Sequence, residues 1–368
     1  MSLHGLRGWF ALCNSRLLLG ALCLLCSVTW AAPGKHKAKA ASAWGETAAV
    51  RELAQELARE FDLPETWALQ RIAHARPLPQ IRQLVLPPAS PSMKNWAAYR
   101  HRFIEPRRIQ AGVQFWRQYA QALQRAEQRF GVPAELVVGI IGVETLYGQH
   151  QGKFPVLDVL TTLSLDFPSE HPRAAQRQAF FRAELGHFLR QVRAGASIKR
   201  LGSFAGAMGW PQFMPSSWSR HAIDFDGDGR IDLNRSPVDA IGSVAQYFVN
   251  HGWQSGMPTH FQVDVSDPSV VLEILTGPDI VPTFSAERMA ELGARLEPKA
   301  QAFEGPLALI ELQNGGASPS YVVGTSNFYV VTRYNWSSYY ALAVIELGQA
   351  VKAEINGAGH NASQPSLR

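Results

Sequence analysis

Cysteine is almost missing. The 368 residues hold three, Cys13, Cys23 and Cys26. The rest of the chain has none, so no disulfide braces it, and its stability must come from its core and any bound ion. Long apolar runs are scarce too. The run at 17–28 is short for a bilayer span of about 20 residues. With Arg7 and Arg16 around its start and "TWAA" after it, residues 1–31 are expected to be a secretory signal peptide, cleaved after Ala31. "GALC" and "CLLC" are poor forms of a lipid-attachment box, so no lipid anchor is expected. Surplus charge is missing as well. The formal net charge is +5. Arg7, Arg16 and the lysines of "APGKHKAKAASA" (Lys35, Lys37, Lys39) account for all of it. The remainder is near neutral, which excludes a basic nucleic-acid-binding face.

What is present is mostly helical signal. Residues 32–43 are expected to be a disordered leader and 44–95 an N-terminal helical region of two helices broken at "DLPE". After the Pro/Ser-rich "LVLPPASPSMKN", apolar residues from Val113 to Phe130 recur every three to four positions, which predicts one long amphipathic helix. Pro133 opens the next helix and Gly148 is expected to close it. Two further helices follow, then the irregular "LGSFAGAMGWPQFMPSSW", then a helix started by Pro237. Beyond about residue 258 the pattern changes. "FQVDV", "PLALIELQ", "SYVVG" and "FYVVTRY" predict short strands, with "SAERMAELGA" a helix among them. A last helix from Tyr339 returns to the helical part. The divisions are 96–257 for a catalytic core, 258–333 for a small α+β insertion, 334–352 for the returning helix and 353–368 for a disordered tail.

The helix "VVGIIGVETLYG" is apolar almost all round and carries one acid, Glu144. A helix apolar on every face is buried. An ionised, unpaired glutamate there is costly, so its proton affinity is expected to rise, which suits a general acid. Periodicity alone leaves open a half-exposed glutamate at a helix end, paired with an arginine.

"DFDGDGRID" matches the start of an EF-hand calcium loop. Asp224, Asp226 and Asp228 fall at positions 1, 3 and 5, Gly229 at the turn, Arg230 at the position that offers a backbone carbonyl, and Asp232 at 9. Position 12 is Arg235 rather than an acid. Hard oxygen ligands favour Ca2+ in a structural role.

"GVPAELVVGIIGVETLYG", "GAMGWPQFMPSSW" and "DFDGDGRIDL…PVDAIGSVAQYF…HGW", in that order, resemble the membrane-bound lytic murein transglycosylase B family. The resemblance runs from "YRHRFI" to the last helix. It implies a mainly α, lysozyme-like helical core with extra helices and a small α+β insertion carrying antiparallel strands. It also implies cleavage of peptidoglycan between N-acetylmuramic acid and N-acetylglucosamine, leaving a 1,6-anhydro end. Glu144 matches the family's sole catalytic acid/base. Tyr99, Ser203, Gln212, Tyr247, Tyr334, Asn335 and Tyr340 match groove residues. In the family the calcium loop, here 224–239, is closed by the acid matching Asp239, which also lies three residues after Ser236, the spacing of a helix capping box. Asp158 and Asp166 are the next acids along the chain, with Asp158 expected in the first turn of a helix. The resemblance further implies peptidoglycan strands as partner, cell-wall enzymes as possible associates, a monomer and a periplasmic location. Two alternatives stay open: a lysozyme-type muramidase that adds water, and a non-catalytic peptidoglycan-binding protein.

Overall fold

The computed structural model describes residues 42–87, 94–267 and 270–362. The signal peptide and nearly all of the leader lie outside them. At the N-terminal end, α1 (Ala48–Phe61) starts where the Thr47 hydroxyl accepts the Val50 N–H, and stops at Asp62 in left-handed backbone. Pro64 then sets up α2 (Glu65–His74), followed by a short α3 (Pro79–Leu84). Val50, Leu53, Leu57 and Phe61 recur on one face of α1 and are buried.

Next come α4 (Trp96–Phe103), α5 (Pro106–Gln118), α6 (Ala120–Phe130) and α7 (Ala134–Thr145). The one long helix expected through Phe130 is two. Tyr119 leaves helical backbone at φ −114°, ψ 24°, its ring packed on Phe115. Each half faces a different partner, α5 the Tyr147 ring and Val351 of the last helix and α6 the region of Phe225, so tertiary packing overrides the continuous periodicity. A two-residue strand β1 (Phe154–Pro155) leads to α8 (Val156–Leu165), then α9 (Ala174–Arg193). Strand β2 (Leu201–Gly202) pairs antiparallel with β1. The irregular glycine-rich stretch follows, then α10 (Pro215–His221) and α11 (Pro237–Asn250). Apolar residues of α1, α2, α8 and α9 share one core with Met208, Phe213 and Trp218.

The last part contains β3 (His260–Asp264), α12 (Leu272–Thr276), α13 (Ala286–Glu291), β4 (Arg295–Leu296), α14 (Pro298–Gln301), β5 (Ala308–Asn314) and β6 (Ala317–Gly324). Four strands form one antiparallel sheet in the order β4-β3-β6-β5, as the expected α+β insertion requires. The expected strand at "FYVVTRY" is instead the helix α15 (Ser326–Thr332). A short apolar run does not tell a buried strand from a buried helix. Here the Thr325 hydroxyl caps the turn by accepting the Asn327 N–H. The Asn327 amide is tied to the Gln254 and Met257 carbonyls, which fixes the helix to the core.

Finally α16 (Ser338–Ala362) runs back along α7. The sequence placed its end at 352, but helix continues through Ala362. The two helices approach closely because they meet at glycines. A methyl at Gly139 would strike the Val344 carbonyl oxygen, and one at Gly348 the Glu135 carbonyl oxygen. This contact brings the start of α16 to the end of α7 that carries Glu144.

Candidate active site

Glu144 is 5% exposed at the last turn of α7. The Tyr340 hydroxyl, itself fully buried in the first turn of α16, donates to Glu144 Oε1 at 2.5 Å. The expectation of a buried glutamate at this point of the helix therefore holds. A hydroxyl, that of Tyr340, is a partner there.

The helix ends before Gly148. Leu146 and Tyr147 both take left-handed backbone, at φ 49° and 54°, directly after Glu144 and Thr145. Such backbone in a residue with a side chain costs about 1–2 kcal/mol. The surroundings offset it. Leu146 is buried, and the Tyr147 ring packs 5.3 Å from Phe115 in a slot left by Gly112 and Gly142. The Arg108 guanidinium donates to the Gly142 carbonyl at 2.6 Å, placing a cation at the carbonyl end of α7. Thr145, which sequence reasoning passed over, donates its hydroxyl to the Trp210 carbonyl at 3.0 Å and accepts the Gly148 N–H. A hydroxyl-bearing, β-branched residue directly after the acid was the available signal. Thr145 joins the end of α7 to the glycine-rich stretch.

That stretch holds Gln212, a third left-handed residue with φ 50°. Its amide donates to the Gln151 and Gly209 carbonyls. Ser203 Oγ accepts the N–H groups of Ala205 and Ala207, so in this state it shapes the turn. Beyond Glu144 the rings continue in a row. Tyr340 stacks with Tyr334 at 6.3 Å, and Tyr334 lies 4.7 Å from Tyr247. The Tyr334 hydroxyl donates to the Pro211 carbonyl, next to Gln212, and the Tyr247 hydroxyl to the Arg333 carbonyl. Burial pushes the Tyr247 phenol well above its ordinary value. Burial, with His251 and Arg220 nearby, pulls the neighbouring His221 down to about 4. Asn335 is half-buried between α15 and α16. Tyr99 joins at one remove, its ring edge-on to Tyr339 at 5.8 Å. Of the predicted groove residues, Tyr340, Tyr334, Tyr247 and Gln212 thus gather around Glu144.

The other acids are engaged elsewhere. Asp158 lies in the first turn of α8, as expected, and accepts the Arg76 N–H; burial raises its proton affinity. Asp166 pairs with Arg82 at 3.1 Å. Glu184 is buried and accepts the Ser216 N–H and hydroxyl at 2.8 and 2.6 Å.

In the aspartate loop, carboxylate oxygens of Asp224, Asp226 and Asp239 come within 4.8 Å of one another, a spacing that fits a single cation. Asp239 is 1% exposed and accepts N–H groups from Phe225, Asp226 and Asp232. The capping box is only half formed. Ser236 Oγ accepts the Asp239 N–H, while the Asp239 carboxylate turns into the loop rather than back to Ser236. Asp228 accepts the Arg230 N–H, and Asp232 accepts from Asn234 and Arg235; neither carboxylate belongs to the trio.

The family model described as the Transglycosylase SLT domain matches residues 45–349. Membrane-bound lytic murein transglycosylase B of Escherichia coli (strain K12) is 43% identical over 269 residues, 73% of this chain and 70% of that protein. Among solved structures, the E. coli lytic transglycosylase SLT35 in complex with bulgecin A matches with a TM-score of 0.74 at 36% identity, covering 86% of this chain and 97% of that one. The same enzyme in complex with calcium matches with a TM-score of 0.74 at 35% identity and the same coverage. SltB3 of Pseudomonas aeruginosa in complex with NAG-NAM-pentapeptide matches at 28% identity with a TM-score of 0.68, over 82% of this chain and 78% of that one.

Proposed function

The chain belongs to the transglycosylase SLT domain family and is a lytic murein transglycosylase, and from that premise we propose that Glu144 is its single general acid and base. As a carboxylic acid it protonates the oxygen between C1 of N-acetylmuramic acid and C4 of N-acetylglucosamine. As that C–O bond breaks, the muramic acid's own C6 hydroxyl attacks C1. The carboxylate, having lost its proton, takes the one released by that hydroxyl. The glycan is cut, a 1,6-anhydro ring is formed, no water is consumed and the acid is regenerated. The usual scheme needs two carboxylates. Here an internal nucleophile removes the need for the second.

One observation carries the reading: a lone, buried carboxylate ends an apolar helix with a buried phenol donating to it. The next acids along the chain, Asp158 and Asp166, already serve a backbone N–H and an arginine, which also favours a single-carboxylate scheme. Burial excludes bulk water, and the Tyr340 hydroxyl steadies the carboxylate in its basic half-cycle. Gln212, Tyr334, Asn335 and Tyr247, with Ser203 and Tyr99 further out, bind the sugar rings and acetamido groups. Asp224, Asp226 and Asp239, aided by Asp228 and the Arg230 carbonyl, hold a structural Ca2+. The ion supplies cross-linking charge to the loop and takes no part in the proton transfers. No described helix is long and apolar enough to cross a membrane. A peptidoglycan substrate favours an exported, periplasmic enzyme.

Mass spectrometry of muropeptides released from purified peptidoglycan tests this. The wild type should release products lighter by one water than hydrolysis products, and Glu144→Gln, near-isosteric but unable to donate or take the proton, should release none while still binding glycan. Hydrated products would replace the internal nucleophile with water and make the enzyme a muramidase. Cleavage by Glu144→Gln would remove Glu144 from the chemistry.

A further inference from the structure

Arg333 directly follows α15 and directly precedes Tyr334. Among the described residues it makes no ion pair. Its guanidinium lies 5.8 Å from the centre of the Tyr329 ring and 5.0 Å from that of Trp336, and those rings meet edge-on at 5.7 Å. A cation held against two rings is pinned in orientation while its donor edge stays available. The polar contact of that edge is a long one, Nη1 to the Tyr329 hydroxyl at 3.5 Å.

The position is on the groove wall. The Arg333 carbonyl receives the Tyr247 hydroxyl, and the Tyr247 phenol lies in the fields of Arg333, Arg220 and Glu144 together. The field of Arg333 also reaches His251. Two cations that make no ion pair among the described residues, Arg333 and Arg220, therefore lie beside the neutral aromatic row that leads to the acid. A glycan backbone of acetylated sugars carries no charge to answer them. The peptide stem on each muramic acid does, since a peptide chain ends in a carboxylate.

We propose that Arg333, clasped between Tyr329 and Trp336, binds a carboxylate of the peptide stem carried by the glycan strand, so that the groove selects strands that still bear stems. A guanidinium presents a planar fork of donors that matches a carboxylate two bonds at a time. Trp336 limits the sweep of that fork. The inference rests on the transglycosylase reading of the same groove.

Calorimetric titration on the Glu144→Gln background tests binding apart from chemistry. Three ligands are compared: a stem-bearing muropeptide, the same glycan stripped of its stem by an amidase, which leaves a free lactyl carboxylate, and an uncharged N-acetylglucosamine oligomer. Adding Arg333→Gln should raise Kd for the stem-bearing ligand about tenfold, the worth of one charge-assisted bond, and leave the other two within about twofold. Arg333→Lys should recover part of the loss. An equal loss for the stripped glycan, with the oligomer unchanged, would move the contact to the lactyl carboxylate and overturn the stem assignment. An equal loss for all three ligands, or none for any, would make Arg333 a structural cation at the end of α15. Failure of the wild type to form anhydro products would sink the parent reading, and these titrations would still decide the anion contact.

Discussion

In the proposed mechanism the chemistry at Glu144 comes down to one oxygen atom and the hydroxyl aimed at it. Tyr340 donates to Oε1 and so favours the ionised carboxylate, the form needed to take the proton from C6. The same bond opposes the protonated form needed at the start. Tyr340→Phe should therefore lower kcat about tenfold, from the loss of a bond of about 1.5–3 kcal/mol to a charged group. It should also shift the alkaline limb of the kcat profile to higher pH, because the acid keeps its proton longer. A pH–rate series on defined glycan strands reads both, and an unmoved limb would mean the phenol is only packing. Glu144 itself was legible in the sequence as an acid amid an apolar stretch, and the motifs around it, rather than its periodicity, pointed to its role. Tyr340 was legible only through family resemblance. Nothing in "RYNWSSYY" says which of its tyrosines points inward.

The element that matters most is the pair α7 and α16. Their glycines let backbone meet backbone, so Gly139→Ala puts a methyl group against the Val344 carbonyl with no flexible side chain to yield. Overpacking of this kind costs about 1–3 kcal/mol. Because the strain falls between the helices that carry Glu144 and Tyr340, activity should fall further than stability. Thermal melts beside turnover check this, and a variant that melts normally and cuts normally would show that the helices can separate freely. Helix existence was well signalled by period and by proline, as at Pro133 and Pro237. Helix limits were not. Tyr119 breaks a continuous stripe, and "FYVVTRY" carries strand-forming residues into α15. In both places the deciding contacts come from elsewhere in the chain, for α15 the Gln254 and Met257 carbonyls. Local pattern cannot report them.

Over the whole molecule the aspartate loop ties the helical core together. It runs from just after α10 to the start of α11, and Phe225 within it packs under Gly242 and against Phe130. Three carboxylates converge in it, with backbone N–H groups and the Ser236 hydroxyl as partners. Chelation should lower Tm and calcium should restore it, since a ligand of the folded state alone stabilises by mass action. Asp239→Asn should lower Tm and abolish the calcium response. A melting curve indifferent to both chelator and calcium would leave the loop as a hydrogen-bonded turn. The loop was plain in the sequence because its ligands are close along the chain. The groove was not, because Gln212, Tyr247 and Tyr340 come from three segments that only the fold assembles.

The acid and its phenol are 196 residues apart, with the phenol near the far end of the chain. A polypeptide made from its N-terminus presents Glu144 long before Tyr340 exists beside it. The cutting centre is therefore finished last, when α16 docks along α7. A nascent or shortened chain that lacks α16 is a blunt tool, since it holds the acid without its phenol.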